Sequence, residues 1–231
     1  MIKSQNSNGE THIGKVVQEF YLDKLSDRLM IIPAAGLGTR VGSPPAKELL
    51  PHPNEEGTFI EVALQKAVRF NLTPLVISRF DKNVLNDWLL KNEIPHILVT
   101  KTSEWVETVM LSQNYWKNKN LLLLPDTDFS PEEILADLFL ELDSSPLAFG
   151  VFDVENISLW GSLKSEHDRR YISEKNRNHL PGKAWGLISF TKKGGDVFWP
   201  LYLESQFLKD WVEIPIQFSE LHLLGFNDLT R

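Results

Sequence analysis

The sequence predicts an α/β fold in which a mostly parallel central sheet is flanked by helices. Up to residue 152, short apolar runs alternate with stretches of helical periodicity. The runs have little polar character on either side, as in parallel strands that helices cover on both faces. The predicted strands span residues 30–34, 74–78, 94–99, 121–124 and 147–152, and the predicted helices span residues 58–70, 82–90, 105–116 and 131–142.

The two ends of the chain depart from this alternation. Residues 13–25 carry apolar side chains at helical spacing, which predicts a short helix within an N-terminal extension of residues 1–28. Beyond residue 152 the strands become shorter and more polar, so we expect a smaller mixed sheet within one domain of residues 29–231. Its strands are predicted at residues 159–163, 170–173, 184–190 and 212–218, with a helix at 196–207.

Composition and charge narrow the class of function. The 231 residues include no cysteine, which excludes disulfides, thiolate metal ligands and cysteine nucleophiles. The formal net charge of −7 argues against a nucleic-acid backbone as the main partner. No apolar run approaches the ~20 residues that a membrane helix needs, and residues 1–8 are too polar for a signal peptide. We expect a soluble, cytoplasmic protein without nucleic-acid or membrane partners.

A glycine-rich segment between a predicted strand and two cations is the strongest functional signal. Residues 35–47 read AGLGTRVGSPPAK. Gly36 and Gly38 allow backbone N–H groups to approach an anion, and Arg40 and Lys47 can neutralise phosphate oxygens. The Walker pattern does not fit because Lys47 follows no glycine, and the dinucleotide pattern does not fit because the third glycine comes one residue too late. The segment therefore predicts a phosphate-binding loop of another kind.

Acidic residues follow the predicted strand at residues 121–124. Ligands of a parallel sheet bind at the carboxyl ends of its strands, so Asp126 would face the same crevice as the glycine segment. A carboxylate oxygen is the ligand that Mg²⁺ prefers, and Mg²⁺ is the cofactor that we expect. Asp128 is open to two interpretations, a further metal ligand or a helix cap before Ser130.

The glycine segment and residues 47–51, KELLP, resemble the signature of the sugar-1-phosphate nucleotidyltransferases, in particular those of the glucose-1-phosphate uridylyl- and thymidylyltransferase type. The resemblance implies a Rossmann-like nucleotidyltransferase fold, and it assigns catalytic roles to Arg40 and Lys47. It assigns the nucleotide to Ala35, Gly36, Leu37, Gly38 and Thr39.

Later motifs extend this resemblance along residues 29–231. In the family, a strand ends in a glutamate that accepts sugar hydroxyls and a lysine that holds the sugar's phosphate, which implies these roles for Glu174 and Lys175. Gly186 matches the glycine that lets the sugar approach the backbone of the next strand. Asp228 resembles the second magnesium ligand, so the resemblance implies that Asp126 and Asp228 share one Mg²⁺.

The implied reaction transfers a nucleotidyl group from a nucleoside triphosphate to a sugar 1-phosphate and releases pyrophosphate. UTP or dTTP is favoured, and CTP is a further candidate. Two alternatives stay open. A cytidylyltransferase for a small phosphorylated alcohol would use the same kind of loop, and three departures from the family pattern, at Glu104, Pro125 and Leu229, leave open a catalytically weakened nucleotide-binding or regulatory module. Whether the protein is a homo-oligomer also stays open.

Overall fold

The structure, a computed structural model, divides the described part of the chain into two units. It describes residues 13–17, 26–36, 46–100, 102, 104–167, 169–214, 222–225 and 227–228. The first unit comprises Met1–Trp116 and Leu123–Asp126, and the second comprises Lys117–Leu122 and Thr127–Arg231. The short segment that ends at Asp126 therefore belongs to the same unit as the glycine segment.

The first unit contains four paired strands, with helices between the parallel ones. Strands β2, β3 and β4 are parallel, and β1 pairs with β4 in the antiparallel direction, so the order is β1-β4-β3-β2. Parallel neighbours need a crossover connection, which helices supply here. The strands are β1 Ile13–Val17, β2 Arg28–Pro33, β3 Thr73–Arg79 and β4 His96–Val99, and the helices are α1 Phe59–Arg69, α2 Asn83–Lys91 and α3 Trp105–Met110.

Helix α1 illustrates how local sequence positions these elements. The Thr58 hydroxyl accepts the backbone N–H of Glu61, and the Glu61 carboxylate accepts the backbone N–H of Thr58, so the first turn is capped from both sides. Lys66 and Arg69 occupy the last turn, where cations favour the negative end of the helix dipole. Ile60 and its neighbours on the apolar face are buried. Helix α1 therefore begins and ends where its sequence dictates.

The second unit is built mainly from antiparallel strands. Strand β10 pairs with β7 and β8, β8 pairs with β9, and β9 pairs with β11, all in the antiparallel direction, whereas β12 runs parallel to β7. A separate pair joins β6 and β13. The strands are β5 Lys119–Leu123, β6 Phe129–Ser130, β7 Leu147–Val154, β8 Gly161–Glu166, β9 Arg169–Glu174, β10 Gly182–Thr191, β11 Val212–Ile214, β12 His222–Gly225 and β13 Asn227–Asp228, and the helices are α4 Ile134–Glu141 and α5 Lys192–Leu208.

Aromatic side chains from helix α5 form the core of the second unit. Phe198 contacts Phe149 edge to face at 5.5 Å between ring centroids, and Trp199 contacts Phe190 in the same way at 5.4 Å. Tyr202 stacks on Phe198 one turn along the helix, at 5.6 Å. All five rings are almost completely buried, so the side chain of Tyr202 is held rigidly inside the unit.

The predicted α/β class is confirmed, with parallel strands in the first unit and a mixed sheet in the second. The predicted N-terminal helix is wrong over Ile13–Val17, which form strand β1, and its remaining residues lie outside the described part. Helical and extended apolar spacing are hard to tell apart in so short a segment, and hydrogen bonds to β4 decide for the strand. The domain boundary at residue 29 stays a prediction.

Candidate functional site

The glycine segment is described at its two ends, residues 35–36 and 46–47. Strand β2 ends at Pro33, and the backbone N–H of Ala34 donates to the carbonyl of Ile77 in β3 at 2.8 Å. Ala35 is buried, whereas Gly36 is exposed, and a Cβ added to it would meet no atom of the described residues within 4 Å. The other predicted nucleotide and phosphate contacts, Leu37, Gly38, Thr39 and Arg40, lie outside the described residues.

Lys47 and Asp126 are brought together by the fold of the first unit. Lys47 begins a short 3-10 helix, Lys47–Leu49, and its ammonium nitrogen lies 2.8 Å from Oδ2 of Asp126. The side chains are 29% and 46% exposed, so water and small ligands can reach both. The predicted catalytic lysine and the predicted metal ligand thus lie next to each other, and Asp126 follows the carboxyl end of strand β5.

The lysine that precedes helix α2 was not predicted as a site residue. The ammonium group of Lys82 donates to the carbonyl oxygens of Ala34 at 2.7 Å and Gly36 at 3.1 Å, and to Oε2 of Glu48 at 2.7 Å. Glu48 is completely buried beside Lys47. A sequence signal for Lys82 existed, because it follows strand β3 and the carboxyl ends of parallel strands meet at one edge. The pattern alone identified this lysine only as the start of a helix.

Charges around this edge balance in pairs. Burial lowers the pKa of Lys82, Glu48 opposes this shift, and the nearby cations Lys47 and Arg79 lower the pKa further. Arg79 is itself paired with Asp81, to which its Nε donates at 2.8 Å. Each of the three cations Lys47, Lys82 and Arg79 therefore has a carboxylate partner, and of these pairs the one between Lys47 and Asp126 has both side chains partly exposed.

The predicted sugar contact Glu174 ends strand β9 in the second unit. Its carboxylate is buried and accepts a hydrogen bond from the Tyr202 hydroxyl, which in turn accepts from Nε1 of Trp185 at 2.9 Å. Gly161 lies opposite Glu174 in the ladder between β8 and β9. A Cβ at Gly161 would overlap Trp185 and Tyr202, so only glycine leaves room for this chain of hydrogen bonds.

Burial raises the pKa of Tyr202 well above its usual range, and the negative charge of Glu174 raises it further. The hydroxyl therefore stays protonated throughout the physiological range and remains a donor to the carboxylate. Because the donor is fixed by the aromatic core, the carboxylate of Glu174 has a fixed orientation as well.

The other two predicted sugar-phosphate contacts are Lys175, which directly follows Glu174, and Gly186 in strand β10. Lys175 is exposed, its φ of 50° is left-handed, and its backbone N–H donates to the Trp160 carbonyl at 3.0 Å. Gly186 lies in strand β10 where the pairing with β7 shifts register between Trp185 and Leu187. The ammonium group of Lys175 therefore faces solvent, and Gly186 lies at a bulge that bends its strand.

Of the two predicted metal ligands, only Asp126 has a described side chain. Asp228 is placed by its backbone in strand β13, opposite Phe129. Asp126 satisfies the chemical requirement for Mg²⁺, since it offers a solvent-accessible carboxylate at a strand end. Asp128 is buried, and its Oδ1 accepts the backbone N–H of Phe129 at 3.0 Å.

Similar solved structures identify the fold. A protein described as a glucose-1-phosphate thymidylyltransferase from Bacillus anthracis, in complex with sucrose, matches with a TM-score of 0.65 and 15% identity over 87% of each chain. The chain has a nucleotidyltransferase fold. HddC from Yersinia pseudotuberculosis matches with a TM-score of 0.61 at 17% identity, over 87% of this chain and 93% of that one. Its complex with GMP-PN matches with a TM-score of 0.60, the same identity and the same coverage.

At these identities the likeness establishes the nucleotidyltransferase fold and not the substrates. No protein-family model and no curated protein matches the chain. Among the described residues, no helix combines the length and the apolar composition that crossing a membrane requires.

Proposed function

We propose that this chain transfers a nucleotidyl group from a nucleoside triphosphate to a sugar 1-phosphate and releases pyrophosphate. The observation that carries the proposal is the pair of Lys47 and Asp126, 2.8 Å apart within the unit that also contains the glycine segment. The nucleotidyltransferase fold supports it, because one similar structure is described as a thymidylyltransferase.

The reaction needs no nucleophilic side chain, because the sugar phosphate itself attacks, and it therefore suits a site of cations and carboxylates. The second pKa of a phosphate monoester is near ~6, so a sugar 1-phosphate is largely dianionic at neutral pH and needs no base. One of its oxygens attacks the α-phosphorus, and pyrophosphate leaves on the opposite side. Lys47, with Arg40 as a predicted partner, stabilises the negative charge that builds up on the transferred phosphoryl group.

Magnesium is the proposed cofactor. Asp126 would hold it, with Asp228 as the second ligand that the sequence predicts. When bound, the ion neutralises phosphate charge and orients the triphosphate. In the described structure the cation beside Asp126 is Lys47, which has two further N–H groups for phosphate oxygens.

The acceptor side of the proposal rests on the second unit. Glu174 would accept sugar hydroxyls, Lys175 would bind the sugar's phosphate, and Gly186 would leave space for the ring. The exposed ammonium of Lys175 and the fixed carboxylate of Glu174 are compatible with these roles. Support for the two substrate classes comes from the similar structures, one in complex with sucrose and one with GMP-PN.

Pyrophosphate release measured with a panel of substrates tests the proposal. UTP, dTTP, CTP, ATP and GTP are each combined with sugar 1-phosphates, with phosphocholine, and with no acceptor, in the presence of Mg²⁺. Release that depends on a sugar 1-phosphate supports the proposal. Release only with CTP and phosphocholine assigns the chain to cytidylyltransferases, and triphosphate binding without release assigns it to non-catalytic nucleotide-binding proteins. Either result contradicts the proposal.

A further inference from the structure

Lys82 joins the two ends of the glycine segment. Its ammonium nitrogen contacts the carbonyls of Ala34 and Gly36, which open the segment, at 2.7 and 3.1 Å. The same nitrogen lies 2.7 Å from the carboxylate of Glu48, the residue that follows Lys47. One ammonium group therefore contacts both ends of the segment. Lys82 is separated from Ala34 by 48 positions in sequence and from Glu48 by 34.

The hydrogen bonds of Lys82 leave it no capacity to bind a phosphate. An ammonium group has three N–H donors, and Lys82 has three acceptors at hydrogen-bonding distance. The side chains of Lys82 and Glu48 are 10% and 0% exposed, so water does not compete for their ion pair. Lys47 differs on both counts, because its ammonium contacts one carboxylate among the described residues and is 29% exposed.

These contacts determine the orientation of the peptide groups at Ala34 and Gly36. In a trans peptide unit the C=O and N–H point in opposite directions, so a carbonyl of Ala34 that is fixed on Lys82 directs the N–H of Ala35 away from it. Carbonyl oxygens that turned toward a triphosphate would repel it. Glu48 lies in the same 3-10 helix as Lys47, so its fixation also limits where the Lys47 backbone can move.

We propose that Lys82 is a positioning residue, which fixes the two described ends of the glycine segment, at Ala34 to Gly36 and at Lys47 to Glu48, for a triphosphate without contacting the triphosphate itself. This role rests on the proposed function. The ammonium turns the carbonyls of Ala34 and Gly36 inward, and the ion pair with Glu48 holds Lys47 in place, before any substrate binds. Preorganised donors of this kind lower the cost of reorganisation when charge develops.

The test separates this role from simple loss of a buried ion pair. Lys82→Met alone leaves the Glu48 carboxylate buried without a cation and can unfold the protein. The double variant Lys82→Met, Glu48→Gln removes both charges, so that fold and melting temperature are retained while the carbonyls of Ala34 and Gly36 lose their donor. The matched control is Lys119→Met with Asp143→Asn. Lys119 likewise donates to a carboxylate, that of Asp143 at 2.5 Å, and to a carbonyl, that of Phe139 at 3.0 Å, but lies in the second unit.

Two measurements decide the proposal. Hydrogen–deuterium exchange of peptides covering residues 29–36 and 46–50 should increase in the Lys82/Glu48 variant and stay unchanged in the Lys119/Asp143 control. Pyrophosphate release should fall by about 10²-fold in kcat/KM, as expected for misplaced transition-state contacts, with little loss in the control.

Unchanged exchange in the folded Lys82/Glu48 variant would overturn the anchoring. Increased exchange with undiminished pyrophosphate release would overturn the link to the triphosphate. If the unmodified protein released no pyrophosphate and bound neither UTP nor dTTP by calorimetry, the proposed function would fail, while the exchange data would still decide whether Lys82 anchors the segment.

Discussion

The ammonium nitrogen of Lys47 lies 2.8 Å from Oδ2 of Asp126, although 79 positions separate the two residues in sequence. Both side chains are partly exposed, and ion pairs of that kind contribute only about 0–1 kcal/mol to stability. The pair can therefore exchange partners at little cost when a polyanion and a divalent cation arrive. Substitutions at either residue should affect ligand binding and turnover far more than folding.

Lys47→Ala should lower kcat by about 10²–10³-fold, which is the usual effect of removing one transition-state stabiliser. The melting temperature should change little, since the lost ion pair is partly exposed. The measurement is pyrophosphate release at saturating substrate, with thermal unfolding in parallel. Lys193→Ala, which removes an exposed lysine of helix α5, is the control and should keep normal turnover. Normal turnover of Lys47→Ala would remove this lysine from the catalytic group.

Asp126→Asn should abolish the Mg²⁺ dependence of triphosphate binding. The carboxylate is the proposed metal ligand, and an amide binds Mg²⁺ poorly. Binding without Mg²⁺ should not weaken, because Lys47 loses its competing carboxylate and becomes free for phosphate. Calorimetric titration of UTP and dTTP, with Mg²⁺ and with a chelator, measures both effects. Equal loss in the two conditions would mean that Asp126 acts through the fold and not through the metal.

The same titration tests the predicted second ligand. If Asp126 and Asp228 share one ion, Asp228→Asn should reproduce the Mg²⁺ defect, and the double variant should lose little more than either single variant. Fully additive losses, or a silent Asp228→Asn, would show that the ion uses another ligand.

Lys175→Asn should raise the KM for the sugar phosphate and leave triphosphate affinity nearly unchanged. Asparagine removes the charge but tolerates the left-handed backbone of this position, where φ is 50°. Steady-state kinetics with each substrate varied in turn gives both values. Lys183→Asn, which removes another exposed lysine of the second unit, is the control. If the KM values of both substrates rose equally, Lys175 would not be specific to the acceptor.

Tyr202→Phe and Glu174→Gln should be strongly coupled. Removing the Tyr202 hydroxyl takes a donor from a buried carboxylate, which costs about 1–3 kcal/mol, whereas the neutral amide of Glu174→Gln tolerates the loss better. Denaturant unfolding of both single variants and the double variant measures the coupling energy. The KM for the sugar phosphate should rise in each variant. Additive stability changes would contradict the fixed orientation that we assign to Glu174.

The burial of His96 leads us to expect that the stability of the protein depends on pH. It is completely buried in β4, its Nδ1 lies 2.8 Å from the Ile94 carbonyl, and burial lowers its pKa below the ordinary 6.5. The unfolded chain therefore binds a proton that the folded chain does not. The stabilisation is present above the unfolded pKa and is lost as the pH falls toward the folded pKa. The melting temperature should decrease between about pH 7.5 and 5.5, as differential scanning calorimetry can measure.

His96→Gln should flatten this pH dependence even if it lowers the melting temperature at every pH. His179→Gln, at an exposed histidine, should leave the slope unchanged. An unaltered slope in His96→Gln would assign the acid sensitivity to other groups.

The elements of this fold that could be predicted from sequence are those with a local cause. Parallel strands such as β2 and β3 are apolar on both faces, and helix α1 carries its own capping residues at Thr58 and Glu61. The glycine segment is predicted to bind a phosphate because its glycines, arginine and lysine follow one another closely in sequence. Lys47 and Asp126 were likewise predictable as single residues, from their places after a loop and after a strand.

Only the tertiary structure decided which of these residues meet. The contacts of Lys82 with Ala34, and of Tyr202 with Glu174, span 48 and 28 positions, and no periodicity in the sequence encodes them. The N-terminal segment became strand β1 because the edge of β4 offered hydrogen bonds that an isolated segment lacks. Whether a segment forms a helix or a strand depends largely on residues adjacent in sequence. A buried charge, in contrast, is paired only when packing brings residues that are distant in sequence together and excludes water.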